Sequence, residues 1–197
     1  MWPWEHLAVG YLCYSLAVHL FARRSPRGWP VVALAVGTQF PDLVDKPLAW
    51  TLAVLPAGHS LAHSLFVALP VSTLAVTAAW SLDRRQVGVA FAFGYLSHLP
   101  ADVFYPVLLG GAPNVGFLFW PVVPAVEPQT SVGFVEIVRL LFTRYVAELR
   151  SGRLATYLAI EIGLMASVFV LWILDGVPPL RSLWSRFGLI PDAGETP

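Results

Sequence analysis

Histidine and aspartate side chains recur near the ends of four apolar segments of the chain. The residues are His6, Asp42, Asp45, His59, His63, His98 and Asp102. Neutral imidazole and ionised carboxylate bind divalent metals, and a mixture of the two suits Zn, Mn or Fe better than Mg or Ca. The single cysteine, Cys13, excludes a cysteine-rich zinc site. Any metal must therefore be held by histidine and carboxylate.

The spacing of these residues indicates how helices would present them. His59 and His63 are four residues apart, as are His98 and Asp102, so each pair would share one face of a helix. Taken singly, each residue is typical of a polar group at the membrane interface. Several buried ionisable groups at matching depth would each cost several kcal/mol unless they are paired or metal-bound. Their joint occurrence therefore favours a metal site.

The composition predicts that the elements carrying these residues lie in a membrane. Of 197 residues, 57% are hydrophobic and 12% are charged, whereas soluble domains carry about 25% charged residues. The mean hydropathy is +0.68. Twelve Lys and Arg residues balance twelve Asp and Glu residues, so no basic surface for a nucleic acid is expected. The expected partner is the lipid bilayer.

Apolar runs predict an all-α, polytopic transmembrane helical bundle with about five or six spans. Runs long enough to cross a bilayer lie at 4–22, 59–80, 87–109 and 154–174. Segment 30–57 meets Pro41 and two carboxylates after about ten apolar residues, which predicts one broken helix lining a wet cavity. Segment 133–149 fits either a span or an interfacial amphipathic helix. We expect a single membrane domain over 1–175 and a surface or loose tail over 176–197.

Basic residues predict the orientation of this bundle. In a six-span threading, seven of the twelve positive charges fall on one side. They are Arg23, Arg24, Arg27, Arg84, Arg85, Arg150 and Arg153. Since short cytoplasmic loops are enriched in Lys and Arg, the histidines and aspartates are expected on the extracytoplasmic side of the plasma (inner) membrane of a prokaryote.

The motifs around the metal-ligand candidates carry a family resemblance over residues 1–122. After His6, the sequence reads FPDLVDKP, HSLAHSL, GYLSHLPADVF and FLFWP in that order. This pattern resembles the membrane-bound metal-dependent hydrolases, whose bacterial members include LexA-regulated inner-membrane proteins. Their His and Asp pattern is distantly similar to that of zinc-dependent phospholipase C. The resemblance implies metal ligation by His6, Asp42, Asp45, His63, His98 and Asp102, and it places His59 where the family has an arginine.

The expected activity is hydrolysis of a phosphoester or ester in a lipid or lipid-linked substrate. A divalent metal, Zn with Mn or Fe as alternatives, would activate the attacking water. Asp45 or Asp102 is the candidate catalytic base, or else orients a ligand, while His59, Ser60 and Ser64 are expected beside the ligands or the substrate. The alternatives are a non-enzymatic membrane protein with a structural metal or His/Asp cluster, and a small transporter.

Overall fold

The computed structural model describes residues 1–125, 133–150 and 155–181. These residues form six α-helices and contain no strand, which confirms the predicted all-helical class. The helices are α1 (Pro3–Ala17), α2 (Trp29–Trp50), α3 (Leu65–Ser81), α4 (Arg85–Leu108), α5 (Phe134–Arg150) and α6 (Ala155–Leu174). A π-helical turn, Val18–Ala22, prolongs α1, and a short 3-10 turn occupies Gly116–Phe119.

Helices α2 and α4 pack closely and run parallel to each other. A Cβ atom at Gly37 would lie 2.2 Å from the carbonyl oxygen of Phe91, and one at Gly94 would lie 2.4 Å from that of Leu34. Both distances are too short for any side chain, so glycine at these two positions allows the backbones to approach. This contact brings the polar ends of α2 and α4 to the same level along the axis of the bundle.

Two ends of the bundle can be distinguished by their side chains. The histidine end carries His6, Asp42 and His98, and the arginine end carries the arginines around positions 23–27 and 84–85. Helices α1 and α3 run from the histidine end to the arginine end, whereas α2 and α4 run in the opposite direction.

Helix α6 runs parallel to α1, which changes the predicted threading. The indole N–H of Trp4 donates to Glu161 at 2.7 Å, and the hydroxyl of Ser15 donates to Asp175 at 2.6 Å. Helix α6 therefore begins at the histidine end, where α4 finishes. A single membrane crossing between α4 and α6 would put the start of α6 at the arginine end. Helix α5, which lies between them in the sequence, is therefore not such a single span.

The predicted positions of two basic residues are therefore wrong. Arg150 closes α5 next to the start of α6 and lies at the histidine end, not with the other arginines. Arg181 follows α6 and lies at the arginine end, whereas a six-span bundle would put it after the sixth span, at the histidine end. Arg153 lies outside the described residues.

The predicted break in the second helix is also wrong. Helix α2 continues through Pro41 and Pro47 and ends at Trp50. A proline removes one backbone donor and crowds the carbonyl four residues earlier, but neighbouring helices can satisfy the freed groups. Helix α4 likewise continues through Pro100, so His98 and Asp102 do share one helix face.

The third apolar segment becomes helical only at Leu65, after a non-helical stretch at residues 51–64 that we call the α2–α3 loop. The prediction that His59 and His63 share a helix face is therefore wrong. Backbone N–H groups of the loop instead donate hydrogen bonds to the carboxylate of Asp45. Ser64 then caps α3 by accepting from the N–H of Phe66 at 3.2 Å.

Among the described residues, α4 and α6 are long and apolar enough to be candidate membrane spans. Helix α3 is a shorter apolar helix. Many large apolar side chains on the outside of the bundle are exposed, including Phe66, Leu74, Phe169 and Leu174. Such an apolar exterior is typical of helices whose solvent is lipid.

Candidate metal centre

The ring of His63 is held in place by Asp45. The carboxylate of Asp45 accepts the backbone N–H groups of Ser60, Ala62 and His63 at 2.9, 2.8 and 3.2 Å. It also lies 2.8 Å from Nδ1 of His63, and both side chains are fully buried. Because an ionised carboxylate only accepts hydrogen bonds, Nδ1 of His63 carries the proton. Nε2 of His63 is then the ring nitrogen that faces the cluster and could act as a ligand atom.

A backbone group fixes the orientation of the His98 ring, as the carboxylate of Asp45 does for His63. Its Nδ1 donates to the carbonyl oxygen of Thr38 at 2.7 Å, across the close contact between α2 and α4. A carbonyl can only accept, so Nδ1 is again protonated and Nε2 is left with a lone pair. In metal-binding histidines, a hydrogen bond from the ring nitrogen that does not bind the metal commonly orients the ring.

The Nε2 atoms of His63 and His98 face each other. Nε2 of His63 lies 3.1 Å from Nε2 of His98, inside the protein. Two lone pairs at this distance repel each other unless a proton or another cation lies between or beside them. Oδ1 of Asp42 and Oδ2 of Asp102 face the same space, and both are buried without a hydrogen-bond partner. The cluster is therefore rich in unshared electron pairs.

The distances within the cluster fit a single small cation. Oδ2 of Asp102 lies 3.0 Å from Nε2 of His98 and 3.5 Å from Nε2 of His63. Oδ1 of Asp42 lies 3.8 and 3.5 Å from the same two nitrogens. Atoms bound to one zinc ion at about 2.0–2.2 Å lie roughly 3.4 Å apart in a tetrahedral site. The donor types and their spacing therefore fit a divalent metal.

His6 borders the cluster on the side of α1. Its ring stacks on that of His98 with 3.6 Å between the ring centroids, and its Nε2 lies 3.2 Å from Oδ1 of Asp102. Both ring nitrogens of His6 are buried and have no hydrogen-bond partner. The amino group of Met1 also contacts Oδ1 of Asp102, at 2.8 Å. Asp102 thus directs one oxygen toward His6 and the other toward His63 and His98.

The accessible edge of the cluster is formed by His59 and Lys46. Nε2 of His59 lies 3.5 Å from Oδ2 of Asp102, and 29% of its side chain is exposed, in contrast to the buried rings of His6, His63 and His98. The ammonium group of Lys46 forms an ion pair with Oδ2 of Asp42. Of the side chains in ion-pair contact with Asp42 and Asp102, these two are the most exposed.

The two candidate serines are bound to backbone groups. The hydroxyl of Ser60 donates to the carbonyl of Ala57 at 2.9 Å, and that of Ser64 donates to the carbonyl of Trp120 at 2.6 Å. Tyr95, which the sequence did not single out, donates to the carbonyl of Ala62 at 2.6 Å. The contacts of Ser64 and Tyr95 hold the α2–α3 loop against the rest of the bundle and thereby position His63.

Three overlapping triplets of side chains have ligand atoms close enough to hold an ion. They are His6, His98 and Asp102; Asp42, His63 and His98; and His59, His63 and Asp102. The structure thus brings most of the sequence-predicted residues together, while Asp45 lies behind His63. Thr38 could not be found from the sequence, because it contributes only its backbone carbonyl.

The comparison with protein families matches the model described as YdjM inner membrane protein over residues 1–177. The chain belongs to the YdjM inner membrane protein family. The match covers all of the metal-centre candidates and extends to the end of α6, so this YdjM family protein carries the cluster within its family region. The comparison with curated proteins found no match, and neither did the comparison with solved structures.

Replacing His59 by arginine is expected to leave the amount of bound metal unchanged in this YdjM family protein. His59 lies at the exposed edge, where an arginine can keep an ion pair with Asp102. Metal content after equilibrium dialysis against zinc, measured by elemental analysis, tests this expectation. Loss of metal from a variant with an unchanged thermal unfolding profile would instead assign His59 as a ligand.

Proposed function

We propose that the chain is a membrane-embedded, metal-dependent hydrolase acting on a phosphoester or ester of a lipid or lipid-linked substrate. The observation that carries this proposal is the pair of Nε2 atoms of His63 and His98, which face each other at 3.1 Å beside the buried carboxylates of Asp42 and Asp102. Zinc is the preferred metal, with Mn or Fe as alternatives.

Each residue of the cluster has a role that follows from its contacts. His63, His98, Asp42 and Asp102 hold the metal, with His6 as a further ligand on the side of Asp102. Asp45 orients His63 and is a positioning residue. The bound divalent ion supplies Lewis acidity, which lowers the pKa of a water molecule toward about 7 and polarises the oxygen under attack.

The remaining roles belong to side chains at the accessible edge of the cluster and to Asp102. His59 and Lys46 are the cationic or donor groups that an incoming phosphoester or ester meets first. Asp102 has both oxygens within the cluster, so it would be placed to accept a proton from an attacking water. A lipid substrate is favoured because the outside of the bundle is apolar and exposed.

A defined substrate panel tests this function. Purified protein loaded with zinc should hydrolyse at least one member of a set of phospholipids, lipid pyrophosphates and lipid esters. A chelator should abolish turnover and added zinc should restore it, whereas Thr73→Ala, on the exposed surface of α3, should behave like the unmodified protein. Metal binding without metal-dependent turnover on any class would instead favour a structural cluster.

We also propose that five helices cross the membrane: α1 with its π-helical extension, α2, α3, α4 and α6. At about 1.5 Å per residue, their lengths of 17 to 24 residues correspond to roughly 26–36 Å, close to the hydrocarbon thickness of about 30 Å. In this threading, six of the ten basic residues that the structure describes lie at the arginine end: Arg23, Arg24, Arg27, Arg84, Arg85 and Arg181. The positive-inside rule then favours the extracytoplasmic side for the metal centre.

Single-cysteine labelling is expected to show the two ends of the bundle on opposite sides of the membrane. In a Cys13→Ser background, a cysteine at Ala112 should react with a membrane-impermeant thiol reagent in intact cells, and one at Ser25 should react only after lysis. Ala112 follows α4 at the histidine end, and Ser25 lies between α1 and α2. The reverse labelling pattern would place the metal centre in the cytoplasm.

A further inference from the structure

Helix α5 separates charged from apolar side chains around its axis. With 3.6 residues per turn, Val138, Leu141 and Phe142 fall within about 100° of one another, and Arg139, Arg144 and Arg150 all project from the other half of the helix. The arginines of α5 are all exposed. A basic polar face opposite an apolar face is the pattern of helices that lie along a membrane surface.

The apolar half of α5 is only partly covered by the described remainder of the chain. Ile137 is buried, but Phe142 is 52% exposed and Val135 is 77% exposed. Leu141 is exposed as well. In water such a surface would be unfavourable, by about 25 cal/mol per Å² of apolar area. Contact with the acyl region of a lipid bilayer would remove this cost.

The aromatic contacts of α5 place it at the histidine end. The ring of Tyr145 lies 5.2 Å from that of Trp2, and the ring of Phe142 lies 6.3 Å from it, centroid to centroid. The hydroxyl of Tyr145 donates to Glu161 at 2.7 Å. Trp2 and Glu161 belong to the starts of α1 and α6, which both lie at this end. The middle of α5 therefore lies at the histidine end of the bundle.

We propose that α5 lies in the plane of the membrane interface at the histidine end and binds anionic phospholipids. Its apolar half contacts the acyl chains, and Arg139, Arg144 and Arg150 contact the lipid phosphates. Arginine suits this role because its planar guanidinium group can donate two hydrogen bonds to one phosphate. The proposal concerns a lipid-binding surface and does not depend on the hydrolase activity.

A cysteine scan of the full-length chain tests the position of α5. Nitroxide labels are placed one at a time at positions 135 to 147, in a Cys13→Ser background, in vesicles of phosphatidylcholine and phosphatidylglycerol. Labels at Val138, Leu141 and Phe142 should all lie at one shallow depth, and labels at Glu136, Thr143 and Ala147 should be exposed to water. A depth that increases steadily toward the middle of α5 would show a crossing helix and overturn the proposal. Spin–spin broadening between copies would show that a second chain covers this face, which would also overturn it.

The lipid preference is tested with an arginine variant and a matched control. A label at Val138 should lie deeper in vesicles that contain phosphatidylglycerol than in vesicles of phosphatidylcholine alone. The triple variant Arg139→Gln, Arg144→Gln, Arg150→Gln should lose this shift. The double variant Arg84→Gln, Arg85→Gln changes charges at the arginine end and should keep it. An equal shift in the triple variant, or no shift in the unmodified chain, would contradict binding of anionic lipid by α5.

Discussion

Replacing His98 by alanine is expected to abolish metal binding at the centre. His98 belongs to two of the three ligand triplets, and its Nε2 lies within 3.0 to 3.8 Å of ligand atoms from His63, Asp42 and Asp102. Losing a group that only supports a ligand costs about 10–100-fold in metal affinity, and losing a shared ligand should cost more. Equilibrium dialysis with zinc, followed by elemental analysis, measures the effect.

Two further variants separate ligand loss from unfolding. His98→Gln keeps a side chain of similar size, so the helix contact with α2 suffers less, and it should still lose most of its metal. Ser97→Ala changes the adjacent residue of α4, whose hydroxyl donates to the carbonyl of Gly94 at 2.8 Å, and should bind metal normally. Retention of full zinc stoichiometry in both His98 variants would show that this residue is not a ligand.

Asp45→Asn is expected to release the α2–α3 loop and weaken metal binding together. The carboxylate of Asp45 serves three backbone N–H groups and the imidazole of His63, and asparagine would direct an N–H₂ group at some of these donors. Hydrogen bonds to charged groups contribute about 1.5–3 kcal/mol each, so we expect several kcal/mol of destabilisation. Zinc affinity should fall by about 10–100-fold.

Hydrogen exchange distinguishes this effect from simple ligand loss. In Asp45→Asn, the amides of Ser60, Ala62 and His63 should exchange much faster than in the unmodified protein. In Asp42→Asn, which alters a ligand oxygen but leaves the loop contacts in place, the same amides should stay protected while zinc affinity falls. Slow exchange of the loop amides in Asp45→Asn would contradict the anchoring role of Asp45.

The sequence predicted the helices better than it predicted their connections. Apolar length alone located α4 and α6 within one or two residues. It failed at Pro41 and at residues 51–64, because both depend on tertiary contacts. Proline is tolerated inside α2 within the packed bundle, and the loop is held by Asp45, which lies 15 residues or more before its donors.

The direction of α6 could not be predicted for the same reason. It is fixed by contacts between residues more than 150 positions apart, such as Trp4 with Glu161 and Tyr11 with Asp175. His19, which is not among the metal-ligand candidates, has its Nε2 2.7 Å from Asp175. Chemical type identified which residues could bind a metal, but only the packing of α1, α2 and α4 shows which atoms face each other.

The most direct test of the metal centre is X-ray absorption at the zinc edge on the purified full-length chain after dialysis against zinc. We expect at least one bound ion per chain, surrounded by nitrogen and oxygen neighbours that include imidazole rings, with no sulfur. The signal should disappear in His98→Ala and persist in Ser97→Ala. Failure to retain zinc, manganese or iron, or an identical spectrum in His98→Ala, would contradict the assignment of this cluster as a metal centre.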